Sequence, residues 1–354
     1  MSAPAVLPGT MHAARFHAPR QVAWEEVPLR LPGPGELLVR MRAALTCGTD
    51  VKCYRRGHPV LLKNFPSPFG HEGAGVVAAV GAGVTAFAVG DAVVSANSAP
   101  CGGCFFCRQG QENLCESLDL LNGTYAEYLL VPAPIVVRNT YRLPPDFPSE
   151  KAAFAEPLAI ALRGVAVSRI EPGMHVAVIG PGPIGLLLAV AATGMGAVVT
   201  VLGRSAHKLA LARSFAGAAH TVDVSGGCDA DRVRSELTEA GRGFDRVIEA
   251  VGQPETWGLA VDLVRRGGLV NLFGGCPAGT TVPVDTRRLH YDEITLVSAF
   301  HHTPADMAAA VSALVSGRID PTPLITSRMP MAGFEDALLQ MERGQALKVA
   351  LLNA

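Results

Sequence analysis

Between residues 158 and 300 the chain alternates short apolar runs with segments of helical period, and few folds accommodate that alternation. The order begins "HVAVIG", "PIGLLLAVAATGMG", "VVTVLG", "AHKLALARSFAG" and "HTVDV", and continues through "DRVIEAVG", "WGLAVDLVRRGG" and "LVNLFGG" to "ITLVSAF". Short continuous apolar runs bounded by turn residues read as strands covered on both faces, and the periodic segments between them read as crossover helices. A parallel strand is reached only through such a crossover, so the pattern predicts a doubly wound parallel sheet and an α/β fold class.

The first turn of this segment carries chemistry. "VAVIGPGPIG" sets Gly180, Gly182 and Gly185 in G-x-G-x-x-G register after a strand and at the start of a helix. Glycine there gives a tight turn and lets backbone approach a pyrophosphate, which the helix N-terminus then holds. Gly180, Gly182, Pro183, Ile184 and Gly185 are therefore dinucleotide-binding candidates, and Phe273, closing "LVNLF", is a further one. The next strand, "VVTVLGRSAHK", ends where an Asp or Glu would take the ribose 2′-hydroxyl of NAD, and no carboxylate stands there. Gly203 leaves space, Arg204 offers a guanidinium and Lys208 follows one helical turn on, a set suited to a 2′-phosphate. NADP(H) is expected over NAD(H), the alternative being that Arg204 and Lys208 are solvated charges at a helix start.

A length of 354 residues exceeds what one core supports, so two domains are expected. Residues 12 to 140 have another texture, short apolar runs cut by Gly and Pro, which suits a barrel-like β domain. After residue 301 the expectation is a helix from Pro304 to Ser316, a Pro-rich connection, a helix from Phe334 to Arg343 and a last strand in "LKVALLN". With 30 basic and 31 acidic residues and no Lys/Arg run, nothing marks a nucleic-acid surface. The longest apolar stretch, around Ile184 to Ala192, is too short to span a bilayer. "MSAPAVLPGTMHAARF" lacks the basic region and apolar core of a signal peptide, so a cytoplasmic protein without membrane partners is expected.

In a reducing compartment clustered cysteines more often bind metal than pair. Cys101, Cys104, Cys107 and Cys115 form C-x2-C-x2-C-x7-C, half of the chain's eight cysteines. Four thiolates and no open position describe a structural zinc site, with a disulfide pair or an iron–sulfur cluster as alternatives. A closed shell leaves no place for substrate. Elsewhere stand Cys47 in "LTCGTD", His71 beside Glu72 in "FGHEGAG", and Glu156 in "AFAEPLAI". Alone, each is of a type more often structural than metal-bound, and spacing does not show that they meet.

Taken in order, CGTD, GHEGAG, the cysteine run, AEPL and GPGPIG resemble the zinc-dependent medium-chain dehydrogenases, within them the sorbitol (polyol) and threonine dehydrogenase branch. The resemblance runs from about Met11 to the end. It implies a GroES-like catalytic domain over residues 1–157 with a structural zinc lobe at 97–117, a Rossmann domain over 158–300, and a C-terminal return over 301–354 completing the catalytic domain. The active site would lie in the cleft between them. Cys47 and His71 match catalytic zinc ligands, Glu156 the third ligand position, and Glu72 the acidic neighbour that approaches or binds the metal. Two zinc ions per chain are implied, one catalytic and one structural.

Thr49 matches the hydroxyl set against the substrate oxygen. Lys52 stands where many relatives carry a His, and either relays a proton, contacts substrate or cofactor, or points to solvent. Asn97 aligns with a pocket-lining position or forms a turn. Lys348 matches a basic residue that meets the pyrophosphate, while Gly48 replaces a second one. His301 or His302 edges the pocket or lies at a domain crossing. Zinc would act as a Lewis acid on a substrate oxygen while hydride passes to or from nicotinamide. The implied function is oxidation of a secondary alcohol of a polyol, sugar or cyclitol, or reduction of the matching ketone, by a homodimer or homotetramer. A NAD-dependent threonine-type or simple secondary-alcohol dehydrogenase is the alternative within enzymes, and a zinc-stabilised dinucleotide-binding regulator the alternative outside them.

Overall fold

Six strands of the alternating segment lie side by side and all parallel, in the order His220–Asp223, Val198–Gly203, His175–Ile179, Phe244–Glu249, Val264–Leu272, Thr295–Val297. The computed structural model describes residues 7–353 apart from Val60 and Lys63. Its contacts divide the chain into two units, Met1–Glu156 with Thr303–Ala354, and Pro157–His302, which contains the parallel sheet.

In the second unit the chain leaves His175–Ile179 in one direction along the sheet, then returns to place Phe244–Glu249 on its other side. Strand order reverses there, which opens a crevice at the carboxyl end of that strand. Val176, Ala177 and Val178 are fully buried, as a strand covered on both faces requires. Helices Pro183–Gly194, Ala206–Ser214 and Pro254–Leu263 supply crossovers. The helix read in "WGLAVDLVRRGG" stops at Leu263, and a strand begins at Val264. Gly267, at φ +66, and the β-branched Val264 both disfavour continuing the helix.

The first unit is β-rich. Strands Thr140–Arg142, Ala92–Ser95, Glu72–Val80, Leu37–Leu45, Lys348–Leu352 and Ile325–Pro330 are neighbours in that order, and Tyr128–Val131 also pairs with Leu37–Leu45. A smaller sheet holds Gln21–Pro28, Thr10–Ala18 and Ser67–Pro68. In the core of this unit the rings of Phe16, Phe69, Tyr125 and Phe334 form a chain with centroids 6.0, 5.9 and 6.1 Å apart. Such pairs contribute about 0.5–1.5 kcal/mol each beyond area burial. The strand Leu37–Leu45 has seven buried residues out of nine, because it carries neighbours on both edges and both faces.

Three elements differ from the sequence expectation. Gly48–Arg56 and Ala133–Asn139 are helices inside the region read as strands. The Pro-rich connection contains the strand Ile325–Pro330, parallel to Lys348–Leu352. It lies at a sheet edge, where Pro330 deprives no neighbour of a donor. Among the described residues, no helix is long and apolar enough to cross a membrane.

Candidate functional site

Cys47 caps the helix Gly48–Arg56: its backbone N–H donates to Asp50 Oδ2 at 2.9 Å, and its Sγ accepts from the Thr49 amide at 3.4 Å. The cap fixes the sulfur at the mouth of the helix. His71 and Glu72 enter from the start of the strand Glu72–Val80, which pairs with Leu37–Leu45 so that Glu72 lies opposite Leu45. These two anchor points bring Cys47, His71 and Glu72 together, with candidate ligand atoms within 4.8 Å of one another.

Asp50 orders this group. It is buried, and its Oδ1 lies 3.0 Å from His71 Nδ1 while Oδ2 accepts from the Tyr125 hydroxyl at 2.6 Å. With Nδ1 held by a carboxylate, Nε2 is the nitrogen left for a metal. Burial would push the His71 imidazole down, but the Asp50 charge and its hydrogen bond hold it well above its usual value. Burial also disfavours the Asp50 charge, and His71 and the hydrogen bonds from Tyr125 and Cys47 outweigh it and keep the carboxyl low. Neither Asp50 nor Tyr125 stood out in the sequence. An Asp three residues after a candidate ligand is a capping-box signal, and it was the one clue available.

Glu72 is fully buried and pairs with the ammonium of Lys348, which also donates to the Thr46 carbonyl at 2.9 Å. Lys348 is 1 % exposed and sits 5.6 Å from the Phe154 ring centroid. This departs from the expectation that Lys348 meets a pyrophosphate. Its strand is paired on both sides, between Leu37–Leu45 and Ile325–Pro330, and its side chain is spent on the Glu72 carboxylate. The other Glu72 oxygen, Oε1, is buried with no hydrogen-bond partner. An orphaned carboxylate oxygen beside a cysteine sulfur and an imidazole fits a divalent cation, and a Cys, His and carboxylate set suits zinc.

Glu156 is buried beside this group, but its Oε1 accepts from Asn97 Nδ2 at 2.9 Å. The cluster of converging ligand atoms therefore contains Glu72 and not Glu156. Burial, reinforced by the Glu72 charge and opposed by His71, pushes the Glu156 carboxyl up to about 7. Thr49 is half-buried at the helix start, and Lys52 is exposed on the same helix.

Four sulfurs converge as the cysteine spacing suggested, again within 4.8 Å. Cys101 and Cys107 Sγ are 4.0 Å apart, and Cys104 and Cys115 Sγ 3.9 Å. Both distances are about twice the ~2.05 Å of a disulfide, which removes the disulfide alternative. Amides of Cys104 and Gly103 donate to Cys101 Sγ, and those of Cys101 and Ser117 to Cys115 Sγ. Backbone donors stabilise thiolates, and those of Cys107 and Glu116 pull the Cys104 thiol down to about 6. Arg138, on the helix Ala133–Asn139, ties the lobe down by donating to the Cys101 carbonyl at 3.2 Å.

At the Gly-rich turn, Gly180 has φ +102, and a Cβ on Gly185 would lie 1.8 Å from the Gly180 carbonyl oxygen. Both positions demand glycine. A Cβ on Gly182, by contrast, would meet nothing within 4 Å, so the backbone there faces open space of the kind a pyrophosphate fills. Pro183 and Ile184 open the helix, whose first amides have no side-chain cap. Gly203 has a different role from the one expected. A Cβ there would come within 2.3 Å of Pro181 Cγ, so the glycine admits the turn's own proline and leaves no vacant room. Arg204 follows it, exposed, and Lys208 is half-buried on the helix Ala206–Ser214. Phe273 is half-buried against Gly164. His302 is buried and stacks on His301, with ring centroids 4.2 Å apart.

Known proteins resemble this chain in sequence and fold. The alcohol dehydrogenase GroES-like domain matches residues 33–143, and the zinc-binding dehydrogenase family matches residues 183–316. The erythritol/L-threitol dehydrogenase of Mycolicibacterium smegmatis is 32 % identical over 98 % of this chain and 99 % of its own. The L-threonine 3-dehydrogenase of Deinococcus radiodurans is 32 % identical over 96 % and 97 %. A Sinorhizobium meliloti structure described as a zinc-binding dehydrogenase bound to NADP is 30 % identical, with a TM-score of 0.90 over 98 % of this chain and 100 % of that one.

Proposed function

The chain belongs to the zinc-binding medium-chain dehydrogenase/reductase family, related to the sorbitol and threonine dehydrogenases, and is a zinc-dependent NAD(P)-linked oxidoreductase; from this we propose that it moves hydride between NADP(H) and a secondary alcohol or ketone of a polyol, sugar or cyclitol. The convergence of Cys47, His71 and the half-paired Glu72 carries the reading. A zinc ion at that point supplies Lewis acidity toward a substrate oxygen.

The protein's own groups do the rest. Cys47, His71 and either Glu72 or Glu156 hold the metal, and Asp50 holds the His71 ring in the orientation that presents Nε2. Asn97 keeps the Glu156 carboxyl facing the same buried region, where its ionised form accepts a hydrogen bond from a substrate hydroxyl and its protonated form donates one. Thr49 is the proposed first carrier of the proton that an alcohol must lose, and Lys52, exposed on the same helix, lies on the solvent side of that path. Gly180, Gly182, Pro183, Ile184 and Gly185 cradle the coenzyme pyrophosphate, Phe273 lies along the coenzyme, and Arg204 with Lys208 receives the 2′-phosphate. The cysteine lobe carries the second, structural zinc.

Two relatives support a hydroxylated substrate: one is named for a four-carbon polyol and the other for a hydroxy amino acid. Buried polar groups around the metal cluster, Asn97 and Glu156 foremost, favour a hydroxyl-rich substrate over a simple alcohol. The assembly proposed is a homodimer or homotetramer. Steady-state kinetics with NADP+ and NAD+ over a panel of polyols, inositols, sugar phosphates and amino alcohols test the reading. A preference for NADP+ that Arg204→Asp reverses, with a polyol as the best substrate, is the expected result. A wide preference for NAD+ in the unaltered protein, or turnover confined to threonine, overturns it.

A further inference from the structure

The parallel sheet has a second end. The Gly-rich turn lies at the carboxyl end of His175–Ile179, whereas a cavity of about 800 Å³ opens at the amino end of the same sheet, beside the starts of His175–Ile179, Phe244–Glu249 and Val264–Leu272. Five arginines line it: Arg234, Arg242, Arg265, Arg266 and Arg288. Dinucleotides use the carboxyl ends of such strands, so the coenzyme does not account for this cavity.

The cationic wall has a rigid part and a loose part. Asp245 is the rigid anchor, accepting from the His175 amide at 2.7 Å and from Arg265 Nε at 2.7 Å. Arg265 Nη1 donates to the Arg266 carbonyl at 2.7 Å, which orients the guanidinium and leaves Nη2 uncommitted. Arg288 is held by Asp262 at 3.1 Å and Asp292 at 3.5 Å. Arg234 Nε is buried with no hydrogen-bond partner. Arg234, Arg265 and Arg288 thus line one cavity, and the protein does not fully satisfy the Arg234 donors.

The balancing acids fall into the same two groups. Asp245 and Asp292 are mostly buried and stay in place. Asp231, Glu239 and Asp262, which pair with Arg234, Arg242 and Arg288, are 86, 83 and 62 % exposed. Exposed ion pairs contribute little, at most about 1 kcal/mol, so these three side chains can swing into solvent at small cost. Five guanidiniums then face two fixed carboxylates. Charge and volume together select a compact anion carrying about three negative charges, and guanidinium forks match phosphoryl oxygens in pairs.

We propose that this cavity is a binding site for a small polyanion of the diphosphate or triphosphate class, separate from the coenzyme site. Isothermal titration calorimetry of the zinc-loaded protein with tripolyphosphate, at low ionic strength and with the coenzyme site saturated by NADP+ or NAD+, tests it. Saturable binding of one anion per chain, weakened at least tenfold by Arg288→Gln and by Arg234→Gln, is expected. Arg242→Glu provides a second test at an exposed side chain whose replacement leaves the fold intact, and it also weakens binding. Three results overturn the proposal: no saturable binding, binding indifferent to all three substitutions, or binding that disappears once coenzyme is saturating. A single-stranded oligonucleotide that binds more tightly than tripolyphosphate also overturns it, since the surface then reads a nucleic-acid backbone.

Discussion

Cys47, Asp50 and Lys348 show how single residues set the character of the proposed active site. Removing the Cys47 sulfur deletes a ligand without touching the cysteine lobe, so Cys47→Ala loses one zinc of two and its turnover, which elemental analysis beside kinetics measures. Asp50→Asn retains the shape but no longer fixes the His71 ring or its charge. Metal affinity falls about 10–100-fold, as losing a hydrogen-bonded partner of a ligand typically costs, and competition with a chelator reports it. Lys348→Met leaves Glu72 buried without its cation. Breaking such a pair costs about 3–5 kcal/mol, so the urea midpoint of the metal-free protein drops well below that of the unaltered chain. An unchanged midpoint would show that Glu72 is satisfied some other way. Asp50 and Lys348 illustrate a limit of reading residues in line: Asp50 is ordinary, and Lys348 reads as a coenzyme contact, until neighbours far away in sequence define them.

Individual elements carry separate duties. The cysteine lobe is closed by its own four sulfurs and by backbone amides, and Arg138 and Asn139 fasten it to the rest of the first unit. Cys107→Ser is expected to lower zinc content from two to one and to lower stability or assembly. The turnover of molecules that remain folded stays close to normal; a large loss of kcat in a fully folded variant would assign the lobe a part in the reaction. The Gly-rich turn behaves differently. Gly185→Ala places a Cβ on the Gly180 carbonyl, so the turn must shift, at a cost of about 1–3 kcal/mol and with weaker coenzyme binding, seen as a raised KM for coenzyme. Both elements were legible in sequence because each is local: fixed spacing within fifteen residues or fewer. The helix Gly48–Arg56 was not legible, since its cap is a cysteine rather than the usual Ser, Thr, Asn or Asp.

For the whole molecule, the return of the chain matters most. The strand Lys348–Leu352 lies between Leu37–Leu45 and Ile325–Pro330, so the last residues complete a sheet that began some three hundred positions earlier. Deleting residues 345–354 removes a strand paired on both sides together with the partner of Glu72. Limited proteolysis then degrades the first unit, while a fragment near 157–302, which has its own core of Val247, Val264 and Val270, persists. Equal resistance of both units would contradict this division.

By itself the sequence determined the parallel sheet, the Gly-rich turn, the four-sulfur cluster and the family, because periodicity, steric demand for glycine and close ligand spacing are written over short distances. Tertiary structure decided that Cys47 meets His71 and Glu72, why Gly203 is a glycine, and that Lys348 is buried on Glu72. Each of these depends on strands or turns brought side by side from distant parts of the chain, and no local pattern records which side chains will then share one dry space.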